Sequence, residues 1–136
     1  MEKTRIGFIG VGAISGIYLE NITNMFPDME VYAVYDLLEE RAAAQETYHI
    51  PKRYTSLAQM LADPAVDIVL NLTRPSEHYA VTKAALLAGK PVYSEKPLAA
   101  TVAEGRELAA LAAEKGLALG GAPDTFLGAG LQTCRK

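Results

Sequence analysis

The chain opens with a short apolar strand that runs through a glycine-rich turn into a helix: Ile6-Gly7-Phe8-Ile9-Gly10-Val11-Gly12-Ala13-Ile14-Ser15-Gly16. Gly10 permits a tight turn. Gly12 has no side chain, so a diphosphate can approach the backbone. The following helix turns its unpaired N–H groups and the positive end of its dipole toward that anion. This order of elements reads as the first βαβ unit of a dinucleotide-binding fold. In place of the third glycine of the usual G-x-G-x-x-G spacing stands Ser15, small enough to keep the helix close to the strand. A second strand, Val31-Tyr32-Ala33-Val34-Tyr35, ends at Asp36, where a carboxylate would bond the adenosine ribose hydroxyls. The plainer alternative is an ordinary strand–turn–helix with a surface aspartate.

Short β-branched runs alternate with helical stretches along the chain. The pattern predicts strands near 5–9, 30–35, 67–72, 91–94 and 117–121, and a marginal one near 52–54. Ile68-Val69-Leu70 and Leu117-Ala118-Leu119 are apolar without alternation, as in strands covered on both faces. Ser56-Leu57-Ala58-Gln59 and Thr101-Val102-Ala103-Glu104 fit capping boxes, and Ser76 is placed to cap a helix ending near Ala88. Gly89 then supplies a helix terminus and Pro91 blocks continuation, while Gly116 ends the helix begun after Thr101. Ala84, Ala88, Leu108, Leu111 and Ala112 lie at helical spacing and are read as sheet-facing core. Such alternation gives right-handed crossovers and a doubly wound parallel sheet in an αβα three-layer sandwich of the Rossmann type. Residues 1–121 are assigned to that domain. The turn-rich stretch 122–136, with Ala122-Pro123-Asp124-Thr125-Phe126-Leu127-Gly128, reads as an exit from it.

Charge and composition narrow the partners. With 136 residues and a formal charge of −3, no basic patch stands out, so nucleic acid is not an expected partner. No apolar run approaches the roughly 18 residues that span a bilayer, and the N-terminus carries no signal-peptide core. The single cysteine, Cys134, excludes an internal disulfide and reads as a near-terminal free thiol, which fits a reducing, cytoplasmic compartment. Two histidines and one cysteine, far apart, make no metal set, and no nucleophile–base pair for acyl transfer is visible.

Ligands on open parallel sheets bind beyond the C-terminal strand ends, which selects Gly10–Ser15, Asp36–Leu38, Thr73–His78 and Glu95–Pro97. In Glu95-Lys96-Pro97, a lysine on that edge can hydrogen-bond a substrate oxygen and stabilise alkoxide charge; partial burial would ease proton transfer. A solvated ion pair before a proline turn is the alternative. Thr73-Arg74-Pro75-Ser76-Glu77-His78 leads from a strand into a helix and can line the ribose and nicotinamide. His78 is open to either a functional or a polar surface role, and His49 reads as a loop residue.

Taken together these residues resemble the Gfo/Idh/MocA family, the glucose-fructose oxidoreductase and inositol dehydrogenase group. The resemblance rests on Gly10-Val11-Gly12-Ala13-Ile14-Ser15-Gly16, Asp36, Thr73-Arg74-Pro75 with His78, and Glu95-Lys96-Pro97, in family order over residues 4–121. It implies a domain binding NAD, with NADP possible. Gly10, Gly12, Ala13 and Ile14 would hold the diphosphate. Asp36, with Leu37 beside it, would hold the adenosine ribose and repel a 2′-phosphate; Arg41 nearby leaves NADP open. Thr73, Arg74, Pro75 and His78 match the nicotinamide-side loop, Glu95 would bond the nicotinamide ribose, and Lys96 matches the catalytic lysine. The Lys96–Pro97 bond can be cis, as in relatives. The implied activity is hydride transfer between nicotinamide and a sugar, cyclitol or related hydroxy or keto substrate, in a homo-oligomer. Family members continue into an antiparallel-sheet domain that this chain lacks, so a truncated form that binds cofactor without turnover is expected. A non-catalytic nucleotide-binding or sensing module is the alternative.

Overall fold

A computed structural model describes residues 3–43, 46, 48–123 and 128–135. The expectations for Met1, Glu2 and the Asp124–Leu127 part of the exit segment lie outside them. Six strands form one sheet: β1 (Thr4–Ile9), β2 (Met29–Tyr35), β3 (Lys52–Tyr54), β4 (Ile68–Asn71), β5 (Val92–Ser94) and β6 (Leu119–Gly121). All pairings are parallel, and the spatial order is β3-β2-β1-β4-β5-β6. This is the doubly wound order, with the direction of winding reversing between β1 and β4. The crossovers carry α1 (Ser15–Met25), α2 (Glu39–Ala43), α3 (Leu57–Ala62), α4 (His78–Leu87) and α5 (Val102–Lys115); α6 (Ala129–Cys134) follows β6.

Two apolar clusters lie one on each face of the sheet. Leu19 and Ile22 of α1 and Ala42 of α2 pack with Ile6, Phe8, Val34 and Leu70 on one side. Met60, Leu86, Leu108 and Ala112 from α3, α4 and α5 pack with Ile9, Ala33, Val69 and Val92 on the other. Neighbouring strand residues therefore serve opposite clusters, and both faces are dry. That is why the central strands read as continuous apolar runs.

Helix ends follow local chemistry in part. At α5 the expected capping box forms: Thr101 Oγ1 accepts from the Glu104 amide at 3.2 Å, and Glu104 Oε2 accepts from the Thr101 amide at 3.0 Å. At α3 it does not, because the Ser56 side chain makes no cap bond. Glu77, not Ser76, occupies the N-cap of α4, and the Ser76 hydroxyl donates to the Glu77 carboxylate instead. After α4, the Gly89 amide donates to Leu86 and the Lys90 amide to Ala85, both at 3.0 Å, which closes the helix as its sequence predicts. Ala88 is exposed, contrary to the core assignment. The buried stripe of α4 is His78, Thr82, Ala85 and Leu86, so its phase is set by two polar residues that a hydropathy reading places outside.

A polar cluster braces the edge strand. Tyr54 Oη and Lys52 Nζ both donate to Asp63 Oδ2, and the Ala65 amide donates to Oδ1 at 2.9 Å. The Tyr54 hydroxyl, then the Lys52 ammonium, hold the Asp63 carboxyl well below the usual carboxylate range. Lys90 Nζ caps the neighbouring loop by donating to the Asp63 and Val66 carbonyls at 2.7 Å.

Candidate cofactor site

The paired row Tyr35, Ile9, Asn71 and Ser94 runs across four strands at their C-terminal ends. One residue further along stand Asp36, Gly10, Leu72 and Glu95. Backbone bonds carry the alignment past the strands: Gly10 N to Tyr35 O and Leu72 N to Ile9 O at 2.8 Å, and Glu95 N to Asn71 O at 2.9 Å. The four segments selected from the sequence thus meet along one edge, over the point where the winding reverses.

Gly10 has φ +91°, and a Cβ there would lie 2.8 Å from the Leu72 carbonyl carbon and oxygen and 2.9 Å from the Thr73 nitrogen. Only glycine lets β1 leave the sheet so close to β4. A Cβ on Gly12 would meet nothing within 4 Å, so it would project into open space on the ligand side. The turn is fixed from below: the Ser15 amide and hydroxyl both donate to the Gly12 carbonyl, at 3.1 and 2.7 Å. The N-terminus of α1 has no side-chain cap. Among the described residues no protein acceptor meets the amides of Gly12, Ala13 and Ile14. Exposed donors at a helix start, backed by its dipole and approached past a missing Cβ, suit the diphosphate of a dinucleotide.

Asp36 supports the same bend. Its Oδ2 accepts from the Val11 amide at 2.7 Å and its Oδ1 from the Leu38 amide at 2.8 Å. Each oxygen keeps a lone pair for a ribose hydroxyl. Leu37 is 84% exposed beside it, an apolar side chain left open at this edge, and Arg41 is also exposed.

On the other side of the reversal, Glu95 Oε1 accepts from Tyr18 Oη of α1 at 2.7 Å, and Oε2 from the Lys96 amide at 2.8 Å. The Lys96–Pro97 bond is cis, as the resemblance allowed. Lys96 is exposed, not partly buried. Arg74 and Pro75 are exposed and Thr73 is half-buried. His78 is 1% exposed, so the polar surface reading is wrong, and both ring nitrogens face backbone carbonyls.

Sequence reasoning missed Tyr18, Asn71 and Thr82. Asn71 is fully buried; its Nδ2 donates to the His78 carbonyl at 3.1 Å and Thr82 Oγ1 at 3.0 Å, and its Oδ1 accepts from the Thr73 amide and hydroxyl. The one signal for it is an amide side chain ending an otherwise apolar strand. Among the described residues no group of histidine, cysteine or carboxylate side chains could hold a metal. Nor is any helix there long and apolar enough to cross a membrane.

Residues 4–121 match the family described as an oxidoreductase family with an NAD-binding Rossmann fold, Gfo/Idh/MocA. The chain belongs to that family. It is 36% identical over 101 residues to myo-inositol 2-dehydrogenase of Thermotoga maritima, covering 74% of this chain and 30% of the relative. Among solved structures it resembles an NAD-binding oxidoreductase from Klebsiella pneumoniae, with TM-score 0.86, 27% identity, and coverage of 96% of this chain and 37% of that one. It also resembles biliverdin reductase from Synechocystis sp. PCC 6803 in complex with biliverdin and NADP+, with TM-score 0.86, 32% identity, and coverage of 97% and 42%. The chain thus spans about 30% of the length of the curated relatives it matches. What it contains is an NAD(P)-binding oxidoreductase domain.

Proposed function

We propose that residues 4–121 bind NAD(H) along the C-terminal sheet edge and form the cofactor half of an enzyme that oxidises or reduces a sugar, cyclitol or related hydroxy or keto compound. The observation that carries this reading is the alignment of Gly10, Asp36 and Glu95 one residue past the Tyr35–Ile9–Asn71–Ser94 row, with uncapped α1 beside it. In this reading the amides of Gly12, Ala13 and Ile14 take the diphosphate. Asp36 takes the adenosine ribose, and Leu37 covers the adenine. Thr73, Arg74 and Pro75 border the nicotinamide, and Glu95 takes its ribose. The bound nicotinamide supplies the redox chemistry; Lys96 contributes an ammonium that donates to a substrate carbonyl oxygen, or an amine that accepts a hydroxyl proton. The Asp36 carboxylate favours NAD over NADP by repelling a 2′-phosphate, with Arg41 as the counterweight.

The relatives' names support the substrate class: myo-inositol for the Thermotoga relative, and 1,5-anhydro-D-fructose for the reductase of Ensifer adhaerens, 41% identical over 92 residues. Residues 1–136 alone are taken to bind cofactor without turnover, in keeping with an exposed Lys96. Self-association is also part of the reading, because α6 has no buried residue and Leu131 is 55% exposed; light scattering at high concentration reads it, and a monomeric mass removes it. Titration of the chain with NADH, followed by nicotinamide fluorescence, tests the main reading. A folded sample that binds nothing at millimolar NADH refutes it.

A further inference from the structure

Both ring nitrogens of His78 face atoms that can only accept. Nδ1 lies 2.5 Å from the Pro97 carbonyl oxygen and Nε2 lies 3.0 Å from the Thr73 carbonyl oxygen. Those carbonyls belong to different loops. Thr73 is in the β4–α4 loop, and Pro97 follows Lys96 in the β5–α5 loop. His78 is 1% exposed, so its side of both contacts is buried. It is itself held, because Asn71 Nδ2 grips the His78 backbone carbonyl while Asn71 Oδ1 collects the Thr73 amide and hydroxyl.

The β5–α5 loop packs Leu98 and Ala99 against the core cluster but is tied by few hydrogen bonds. Glu95 is bonded through its amide to Asn71 and through its carboxylate to Tyr18. Beyond Lys96, among the described residues, the contact with His78 is the one hydrogen bond that ties residues 97–100 to another part of the chain. The imidazole therefore spans the gap between the loop that carries Thr73 and Arg74 and the loop that carries Glu95 and Lys96. It has no nitrogen left for a ligand, which separates it from the cofactor contacts expected from the sequence.

We propose that His78 is a positioning residue: its ring fills the space between the Thr73 and Pro97 carbonyls, with a ring N–H to donate to either, and so sets the distance between the two loops and where Lys96 and Glu95 stand relative to the nicotinamide half of the cofactor. This rests on the dinucleotide reading for its consequence, though not for its geometry. The adenosine and diphosphate half contacts Gly12–Ile14 and Asp36, which His78 does not touch. Loss of the imidazole should therefore weaken one half of the ligand and spare the other.

The test compares ADP, which carries the adenosine and diphosphate half without the ribose assigned to Glu95, with NADH on the full chain, on His78→Phe and on His78→Gln. Phenylalanine keeps the ring volume without a donor, and glutamine keeps one donor. Expected is an ADP affinity within about twofold of the parent for both variants, with NADH weakened about tenfold in His78→Phe and less in His78→Gln, the scale of one lost hydrogen bond. Equal losses for both ligands, or no loss for NADH, overturn the proposal. Amide exchange on the cofactor-free protein gives a second reading, and His78→Gln serves if the phenylalanine variant does not fold. Exchange should quicken at Glu95, Lys96 and Leu98 and stay unchanged at Phe8 and Leu70; uniform acceleration, or none, overturns it. If the parent chain binds neither ligand, the dinucleotide reading falls, and the exchange pattern alone decides whether His78 holds the loop.

Discussion

Gly10→Ala and Gly12→Ala sit two residues apart in one loop and should fail for different reasons. At Gly10, alanine would be held at φ +91°, and its Cβ would sit 2.8 Å from the Leu72 carbonyl group and 2.9 Å from the Thr73 nitrogen. These are backbone atoms, so no rotamer change makes room. Relief requires β1 and β4 to part where Leu72 N bonds Ile9 O at 2.8 Å. A left-handed non-glycine residue costs about 1–2 kcal/mol, and forced overpacking about 1–3 kcal/mol. The expected loss is thus about 2–5 kcal/mol, which at roughly 4 °C per kcal/mol lowers the melting temperature by about 8–20 °C. At Gly12 a Cβ meets nothing within 4 Å and φ lies outside the positive region. Stability should stay within about 1 kcal/mol of the parent, on the side of a gain, because alanine has fewer unfolded conformations to lose. The methyl group instead fills the space where a diphosphate would approach, and NADH affinity should fall about 10- to 100-fold, or about 1.4–2.8 kcal/mol. Thermal unfolding by circular dichroism and NADH fluorescence titration on both variants read the pair. A Gly12→Ala protein that melts normally and binds NADH like the parent refutes the site assignment. A Gly10→Ala protein with an unchanged melting temperature refutes the steric reasoning.

Asp63→Asn replaces one of two charged acceptor oxygens, which together serve Lys52, Tyr54 and the Ala65 amide, with an NH2 donor, and should cost about 2 kcal/mol, measured by urea unfolding at neutral pH. Because the folded Asp63 carboxyl titrates below its unfolded value, its contribution is complete above the unfolded pKa near 3.9 and fades as pH falls toward the folded value. The parent should accordingly lose its advantage over Asp63→Asn on acidification below about pH 4, and a gap that widens there contradicts this sign. Leu108→Ala opens a void under a fully buried side chain and should cost about 2–5 kcal/mol while leaving NADH affinity of the folded protein unchanged; equilibrium denaturation and titration check the two halves. Thr101→Ala deletes one arm of the α5 capping box and should cost about 1 kcal/mol, and a melting temperature equal to the parent's means that the box contributes nothing in solution.

The layered fold was legible because its central strands serve two dry faces. Ile68-Val69-Leu70 is apolar throughout since Val69 packs with α4 and α5 while Leu70 packs with α1. Even the marginal edge strand was found at its predicted place, Lys52–Tyr54. What failed depended on distant partners. Ser56 has the right spacing for a capping box, yet its side chain makes no cap bond. The stripe of α4 was misphased at Ala88 because His78 and Thr82 point inward. They do so only because Asn71 and two loop carbonyls meet them there, and no local periodicity reports that.

The same contrast separates the two halves of the site. The proposed diphosphate side is made of backbone: a residue without a Cβ, amides that meet no acceptor among the described residues, and a helix start without a cap. Such features follow from residue type at a fixed spacing, so the turn at Gly10 and Gly12 and the carboxylate of Asp36 beside it could be placed from the sequence. The proposed nicotinamide side is made of side-chain ties across long sequence gaps, Tyr18 to Glu95 and His78 to Pro97. Its shape depends on loops held by a few part-buried polar bonds, so the loss of one leaves little to replace it. A substitution in the first half should therefore act on cofactor capture as a whole. One in the second should act on where the nicotinamide end comes to rest, with capture through the adenosine end retained. The ADP and NADH pair distinguishes these outcomes in a single protein sample.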